Sequence, residues 1–377
     1  MKLVIFGLTV SSSWGNGHAT LWRGLCRALA RRGHEVVFFE RDVPYYAAHR
    51  DLTELPGGSL VLYAEWPDVL PRARRHLAEA DVGMVTSYCP DGIAASQLIL
   101  SSDVRLRVFY DLDTPVTLNG LRGGKPVSYI GPNGLGDFDL VLSYTGGAAL
   151  ARLKTELGAR RVAPLYGSVD PEIHRPVPPV QTYRANLSYL GTYAADRQSE
   201  LEKLFIQPAR EMPERKFLIG GAQYPEAFPW TENISFVRHV PPPEHAAFYC
   251  SSRLTLNVTR GVMAEMGYCP SGRLFEAAAC GVPMLSDCWA GLENFFMPGR
   301  EILVARTTQA VRLALEQSPE ELSRIGRAGR ERALGAHTAT HRAQELETLL
   351  EHAMHPEPAW LSVDAEPSFS ETAKNRT

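Results

Sequence analysis

The chain has 377 residues, more than one compact core commonly holds, so two domains are expected. Charged residues make up 21% of it and the formal net charge is −3, with no block of one sign, a balance that points away from nucleic acid or an anionic membrane as partner. No apolar run approaches the roughly 20 residues that span a bilayer, and "MKLVIFGLTV" leads into glycine-rich sequence without a cleavage site, so a cytoplasmic protein without integral membrane segments is expected.

In chain order, "LVIFGL" (3–8) reads as a buried strand and 18–32 as a helix, with Leu21, Leu25 and Leu29 recurring every four residues and Gly33 as its stop. Strands are expected at 35–40, 60–63, 82–87, 105–111, 139–146 and 161–167, with a helix over 147–157. Short apolar runs separated by helices imply a parallel sheet covered on both faces. "DPEIHRPVPPVQTYR" (170–184) holds four prolines and reads as a stiff, non-helical linker.

The second half repeats the scheme. Strands are expected at 187–191, 216–221, 234–240, 254–259, 283–287 and 301–305, and helices at 196–210, 272–281, 307–316, 319–333 and 338–354. The polar, aperiodic tail from His355 is expected to be flexible. The division is therefore a first domain over 1–168, a linker over 169–184, a second domain over 185–340, and a terminal helix with its tail over 341–377. The fold class is α/β, two Rossmann-like doubly wound domains facing a cleft. Ligands of such sheets bind beyond the carboxyl ends of the strands.

Six cysteines are scattered without CxxC spacing, so reduced thiols and no bound zinc are expected. The densest chemistry lies in "CPSGRLFEAAACGVPMLSD" (269–287). Ser271 suits an N-cap, and Gly281 and Pro283 end the helix in the preferred order. A helix N-terminus attracts anions, and Arg273 adds a bidentate phosphate donor. Glu276, one turn on, suits a pair of ribose hydroxyls. An ordinary capped helix with an exposed arginine would show the same local residues.

The wider pattern favours the ligand site. "SGRLFEAAACGVP" matches S-x-R-x-F-E-a-x-A-C-G-x-P almost throughout, and resembles the donor-site signature of GT-B glycosyltransferases. More narrowly, it resembles the group-1 type that includes the CgeB-like spore-maturation proteins. "DLVLSYTGG" through "VDPEIHRP" (139–176) is similar to the last helix and linker of such enzymes, and "LSYLGTYAADR" (187–197) to the first strand and loop of their donor domain.

The resemblance implies that Glu276 holds the nucleotide ribose and that Ser271, Gly272 and Arg273 face the diphosphate. Gly191 and Thr192 would let the backbone approach it, with Arg197 as a second cation. It implies a nucleotide-sugar donor, no cofactor and no metal, consistent with the lack of a DxD triplet in a donor-side loop; "DLD" (111–113) lies in the first domain. One departure concerns the sugar contact. Many retaining relatives carry a second glutamate eight positions earlier, where this chain has Tyr268. Arg260 follows a strand and is a further donor-side candidate.

The first domain would supply the acceptor side. His18 follows the strand-1 loop "SSSWGNGHA", and an imidazole can take a proton from an acceptor hydroxyl near neutral pH. Asp113 is the rival base, and Trp14, Asn16 and Asp111 are the acceptor-side candidates. The acceptor itself, whether small molecule, glycan or protein, is not specified by these residues.

Three alternatives share parts of this pattern. A nucleotide-sugar epimerase or hydrolase could use the same fold, because fold does not fix chemistry. A non-catalytic scaffold or spore-coat protein could retain the pocket. A dinucleotide-dependent oxidoreductase would use the first glycine loop, but Thr20 stands where its third glycine belongs.

Overall fold

The structure, a computed structural model, describes residues 1–355. The tail expected to be flexible lies outside the described residues from 356 onward.

Seven parallel strands build the first sheet: β1 Lys2–Gly7, β2 Glu35–Arg41, β3 Ser59–Tyr63, β4 Val82–Thr86, β5 Leu106–Asp111, β6 Leu140–Ser143 and β7 Val162–Pro164. Their order is β3-β2-β1-β4-β5-β6-β7. Six build the second: β8 Ala185–Leu190, β9 Phe217–Gly220, β10 Ile234–Val237, β11 Ser252–Asn257, β12 Met284–Ser286 and β13 Leu303–Val304. Their order is β10-β9-β8-β11-β12-β13.

The continuous apolar runs have a simple cause, because each central strand is covered on both faces. Along β1, Leu3 and Ile5 join a core with Trp22, Leu25 and Cys26. Val4 and Phe6 point the other way, into a core with Val69, Ala73 and Ile99. Full burial of such a side chain is worth about 1.5–3 kcal/mol, so a one-residue slip in register would lose both sets of contacts.

Helix Gly17–Arg31 begins at Asn16, whose side chain accepts the His18 N–H at 3.1 Å. The run expected as one helix over 196–210 is broken. It opens with a tight turn at Ala195–Arg197, becomes α-helical at Gln198–Leu201, widens into a π-type turn at Glu202–Ile206 and resumes at Gln207–Glu211. Pro208 cannot donate a backbone hydrogen bond to the turn before it, and the widened turn absorbs that loss.

The chain passes between the sheets twice, and the two passages touch. Val169 donates to the His337 carbonyl at 3.0 Å, and Ala339 donates to the Val169 carbonyl at 2.7 Å. The terminal helix Ala339–Met354 then buries Ala339, Ala343, Leu346 and Leu350 in the core of the first sheet. In each sheet the strand order reverses direction at one point, between β1 and β4 and between β8 and β11. The loops after these four strands form the walls of the cleft described next.

Candidate functional site

A cleft of about 580 Å³ lies between the carboxyl ends of the two sheets. His18, Tyr88 and Asp113 line it from the first sheet; Gly191, Arg273 and Glu276 line it from the second.

On the second sheet, the turn after β8 packs tightly on its neighbours. A Cβ at Gly191 would lie 2.5 Å from Arg273 Nη2 and 2.9 Å from Tyr189 Oη. Gly221, with φ +149°, passes so close that its Cβ would meet the Gly191 carbonyl oxygen at 2.0 Å. Arg273 is held in place by three contacts. Its Nε donates to the Leu190 carbonyl, its Nη1 donates to Asn257 Oδ1 at 2.7 Å, and its guanidinium lies 4.8 Å from the Tyr189 ring centroid. Nη2 is left beside Gly191, at the cleft wall. Asn257 is expected at the cleft from its place at the end of a strand, but its hold on Arg273, and that of Tyr189, depends on β8 and β11 being neighbours at the switch point.

The other donor-side candidates gather around the same wall. Arg197 donates to the Thr192 carbonyl at 3.0 Å, which ties the cation to the turn. Arg260 pairs with Asp196 at 3.2 Å, so part of its charge is already answered. Ser271 precedes helix Gly272–Ala279 and makes no side-chain cap bond among the described residues. Ser271 and Gly272 both line the cleft, so the helix N-terminus meets it uncapped.

Glu276 accepts the Tyr249 hydroxyl at 3.2 Å and lies 3.5 Å from Thr20 Oγ1 of the first domain. Burial opposes its ionisation, but the His174 and His245 imidazoles and the Tyr249 hydroxyl outweigh that and hold its carboxyl below the usual range. Tyr268, at the position of the missing second glutamate, has a left-handed backbone with φ 49°. Its ring is wedged between Gly147 and Gly291, where an added Cβ would meet it at 2.5 Å on either side.

On the first sheet, the two rival bases stand together. His18 Nε2 lies 3.7 Å from Asp113 Oδ2. Burial works against the Asp113 charge, but the His18 imidazole and then the Tyr88 hydroxyl hold it below the usual carboxylate range. Tyr88 takes a left-handed backbone with φ 63° to reach this position. Sequence reasoning missed it; its only signal is its place just after β4.

The acceptor-side candidates fall in three different places. Asp111 is fully buried beneath the cleft. Its Oδ1 accepts the Asp113 N–H and the Thr117 hydroxyl, each at 3.1 Å, while Oδ2 has no partner among the described residues. Burial pushes its pKa up to about 6. Asn16 has its side chain engaged with the His18 N–H and the Thr9 carbonyl. Trp14 stacks on His49 at 4.1 Å and meets His239 of the second domain at 4.6 Å. Beside it, Gln223 donates to the Tyr45 hydroxyl at 3.2 Å. These contacts join the two domains at one rim.

Residues 197–348, less than half of the chain, match a protein family described as "Glycosyl transferase-like". Among solved structures, sucrose-phosphate synthase from Thermosynechococcus elongatus superposes with a TM-score of 0.69 at 15% identity, covering 93% of this chain and 98% of that one. HepE of Anabaena in complex with UDP and glucose gives 0.62 at 12% identity, over 93% and 99%. An alpha-glucosyltransferase in complex with UDP and a 13-mer DNA gives 0.65 at 12% identity, over 93% and 99%. The fold is GT-B. No curated protein sequence matches the chain.

The DNA complex overturns one expectation. Nucleic acid is not excluded as a partner, because a protein of this same fold is solved with DNA bound. The physical reason is that net charge sums over the whole surface, whereas a nucleic-acid contact needs only a local patch of cations. Among the described residues, no helix is long and apolar enough to cross a membrane.

Proposed function

We propose that this protein transfers a sugar from a nucleotide-sugar donor to an acceptor hydroxyl. The observation that carries the reading is the position of Arg273. Its guanidinium is fixed beside the Gly191 turn and an uncapped helix N-terminus, across one cleft from the His18–Asp113 pair.

In this reading Arg273 and Arg197 meet the diphosphate, and Glu276 accepts the ribose hydroxyls. As the bond from the sugar's anomeric carbon to the diphosphate breaks, negative charge grows on the leaving oxygen. Preorganised cations stabilise that charge directly. His18 takes the proton of the acceptor hydroxyl as its oxygen bonds to the anomeric carbon, and Asp113 stabilises the resulting imidazolium. Thr20 beside Glu276 brings the first domain's helix against the donor site, so closure of the cleft would exclude water. The diphosphate charge is answered by arginines, so this step is written without a metal.

The narrower group-1, CgeB-like assignment rests on the "SGRLFEAAACGVP" motif. A cytoplasmic location is part of the reading and is supported by six unpaired thiols.

The test is a thermal-shift screen of UDP, GDP, dTDP and CDP, repeated on Glu276→Ala, because a ligand of the folded state raises apparent stability. One nucleotide should stabilise the native protein and fail to stabilise the variant. Equal response in both would remove the donor site as assigned. The matching nucleotide sugar is then incubated with and without an acceptor panel that includes nucleic acid. Rapid donor turnover without any acceptor would replace transfer by hydrolysis or epimerisation.

A further inference from the structure

His174, His245 and Glu276 come from three separated stretches: the linker, helix His245–Cys250 and the donor-side helix. Their potential ligand atoms all lie within 4.8 Å of one another. His174 Nε2 is 3.8 Å from Glu276 Oε1, and His245 Nδ1 is 3.7 Å from Glu276 Oε2. Both separations are too long for hydrogen bonds.

Among the described residues, Nδ1 and Nε2 of His174 and Nδ1 of His245 are buried without a hydrogen-bond partner. His174 is only 4% exposed. Buried polar atoms are normally paired, so an orphaned nitrogen on each of two rings beside one carboxylate calls for an explanation. The remaining nitrogen of His245 supplies a pointer. Its Nε2 lies 3.1 Å from the Val240 carbonyl, and donating there leaves the Nδ1 lone pair turned toward Glu276. Metal-ligating imidazoles are oriented in this way by a backbone carbonyl. Tyr249 likewise steadies Glu276 from outside the trio.

The dimensions suit a small ion. A tetrahedral zinc about 2.0–2.1 Å from nitrogen and oxygen ligands implies ligand–ligand edges of about 3.4 Å. The shortest separations from the histidines to Glu276, 3.8 Å to Oε1 and 3.7 Å to Oε2, exceed this by a few tenths of an ångström, and a turn of the carboxylate presents one oxygen to both rings. The edge between the histidines closes by rotation of the His174 ring, whose nitrogens have no partner holding them. Two imidazoles and a carboxylate are a donor set suited to Zn²⁺, and three protein ligands leave a fourth position for water.

We propose that His174, His245 and one carboxylate oxygen of Glu276 form a three-ligand Zn²⁺ site that fastens the linker to the donor-side helix and leaves the other Glu276 oxygen for the ribose. The fourth position opens toward the cleft, which His245 and Glu276 both line.

The test uses the full chain, stripped with a chelator and free of nucleotide, so its outcome is independent of the donor reading. Co²⁺ should bind one per chain with the visible absorption of a tetrahedral nitrogen–oxygen site, and Zn²⁺ should displace it. His174→Gln and His245→Gln should each weaken Zn²⁺ at least tenfold, consistent with loss of a ligand, while circular dichroism confirms folding. If either variant fails to fold, the other carries the measurement. Should both fail, the Co²⁺ spectrum of the native chain decides. Unchanged affinity in a folded variant, a thiolate charge-transfer band, or no binding by the native chain would each overturn the proposal.

Discussion

Replacing Asp111 with asparagine tests the electrostatics beneath the cleft. Burial holds the Asp111 pKa at about 6, against an ordinary value of 3.8. In the unfolded chain the group releases its proton near the ordinary value, while the folded protein keeps it until about pH 6. Between these limits the folded state binds more protons, so stability falls as pH rises, and the loss is complete above pH 6. The size follows from the shift at 1.36 kcal/mol per unit, giving about 3 kcal/mol.

Asp111→Asn abolishes this titration. Its amide nitrogen adds an unpaired buried donor in place of Oδ2, a cost of about 1–3 kcal/mol that does not vary with pH. The offset between the two proteins is therefore uninformative, and the slope carries the prediction. Urea unfolding of both proteins from pH 4 to 8, followed by tryptophan fluorescence, should show the variant gaining about 2 kcal/mol of that total relative to the native chain across pH 4–6. Trp22, 5.9 Å from the Tyr110 ring, reports the same core. A difference that stays flat over that range would refute the reasoning.

Other outcomes are expected. Gly191→Ala should push the Arg273 guanidinium off the cleft wall and weaken nucleotide binding about tenfold by calorimetry, equivalent to about 1.4 kcal/mol. His18→Ala should lower kcat by roughly 10²–10⁴-fold while nucleotide affinity is unchanged; a matching loss of affinity would move His18 out of the base role. Asp113→Asn should lower kcat in the same direction, and a double variant with His18→Ala should add little, because the two act as a unit. Phe275→Ala, at a fully buried ring of the donor-side helix, should cost about 3–5 kcal/mol of stability.

Much of the fold was readable because central parallel strands are apolar on both faces. β1, β2 and β4 stand as continuous runs in the sequence, and each lies close to its expected limits. Helices Gly92–Leu100 and Thr114–Arg122 are harder to delimit. The first is apolar nearly all round, which blurs its period, and the second is short and opens on Thr-Pro. The donor-side motif was legible because its residues are contiguous. The surroundings of Glu276 were not, since His174, His245 and Thr20 reach it from three distant stretches. Nor does sequence distance show that His18 and Asp113 are neighbours rather than rivals. Only the order of β1, β4 and β5 brings their loops together.

The paired passages at Val169 and Thr338 bear on how the cleft can move. A single peptide link between two bodies permits swing, twist and splay alike. Two links clasped side by side by backbone hydrogen bonds permit mainly rotation about the line joining them, so opening becomes nearly a one-coordinate motion. Trp14 stacks on His49 and meets His239 of the second domain at the rim, a contact that such a rotation would part. A chain cut before Ala339 would lose one link and also uncover the apolar side of helix Gly17–Arg31 that Ala343 and Leu346 now cover. The terminal helix thus governs the direction in which the cleft opens as well as the stability of the first core.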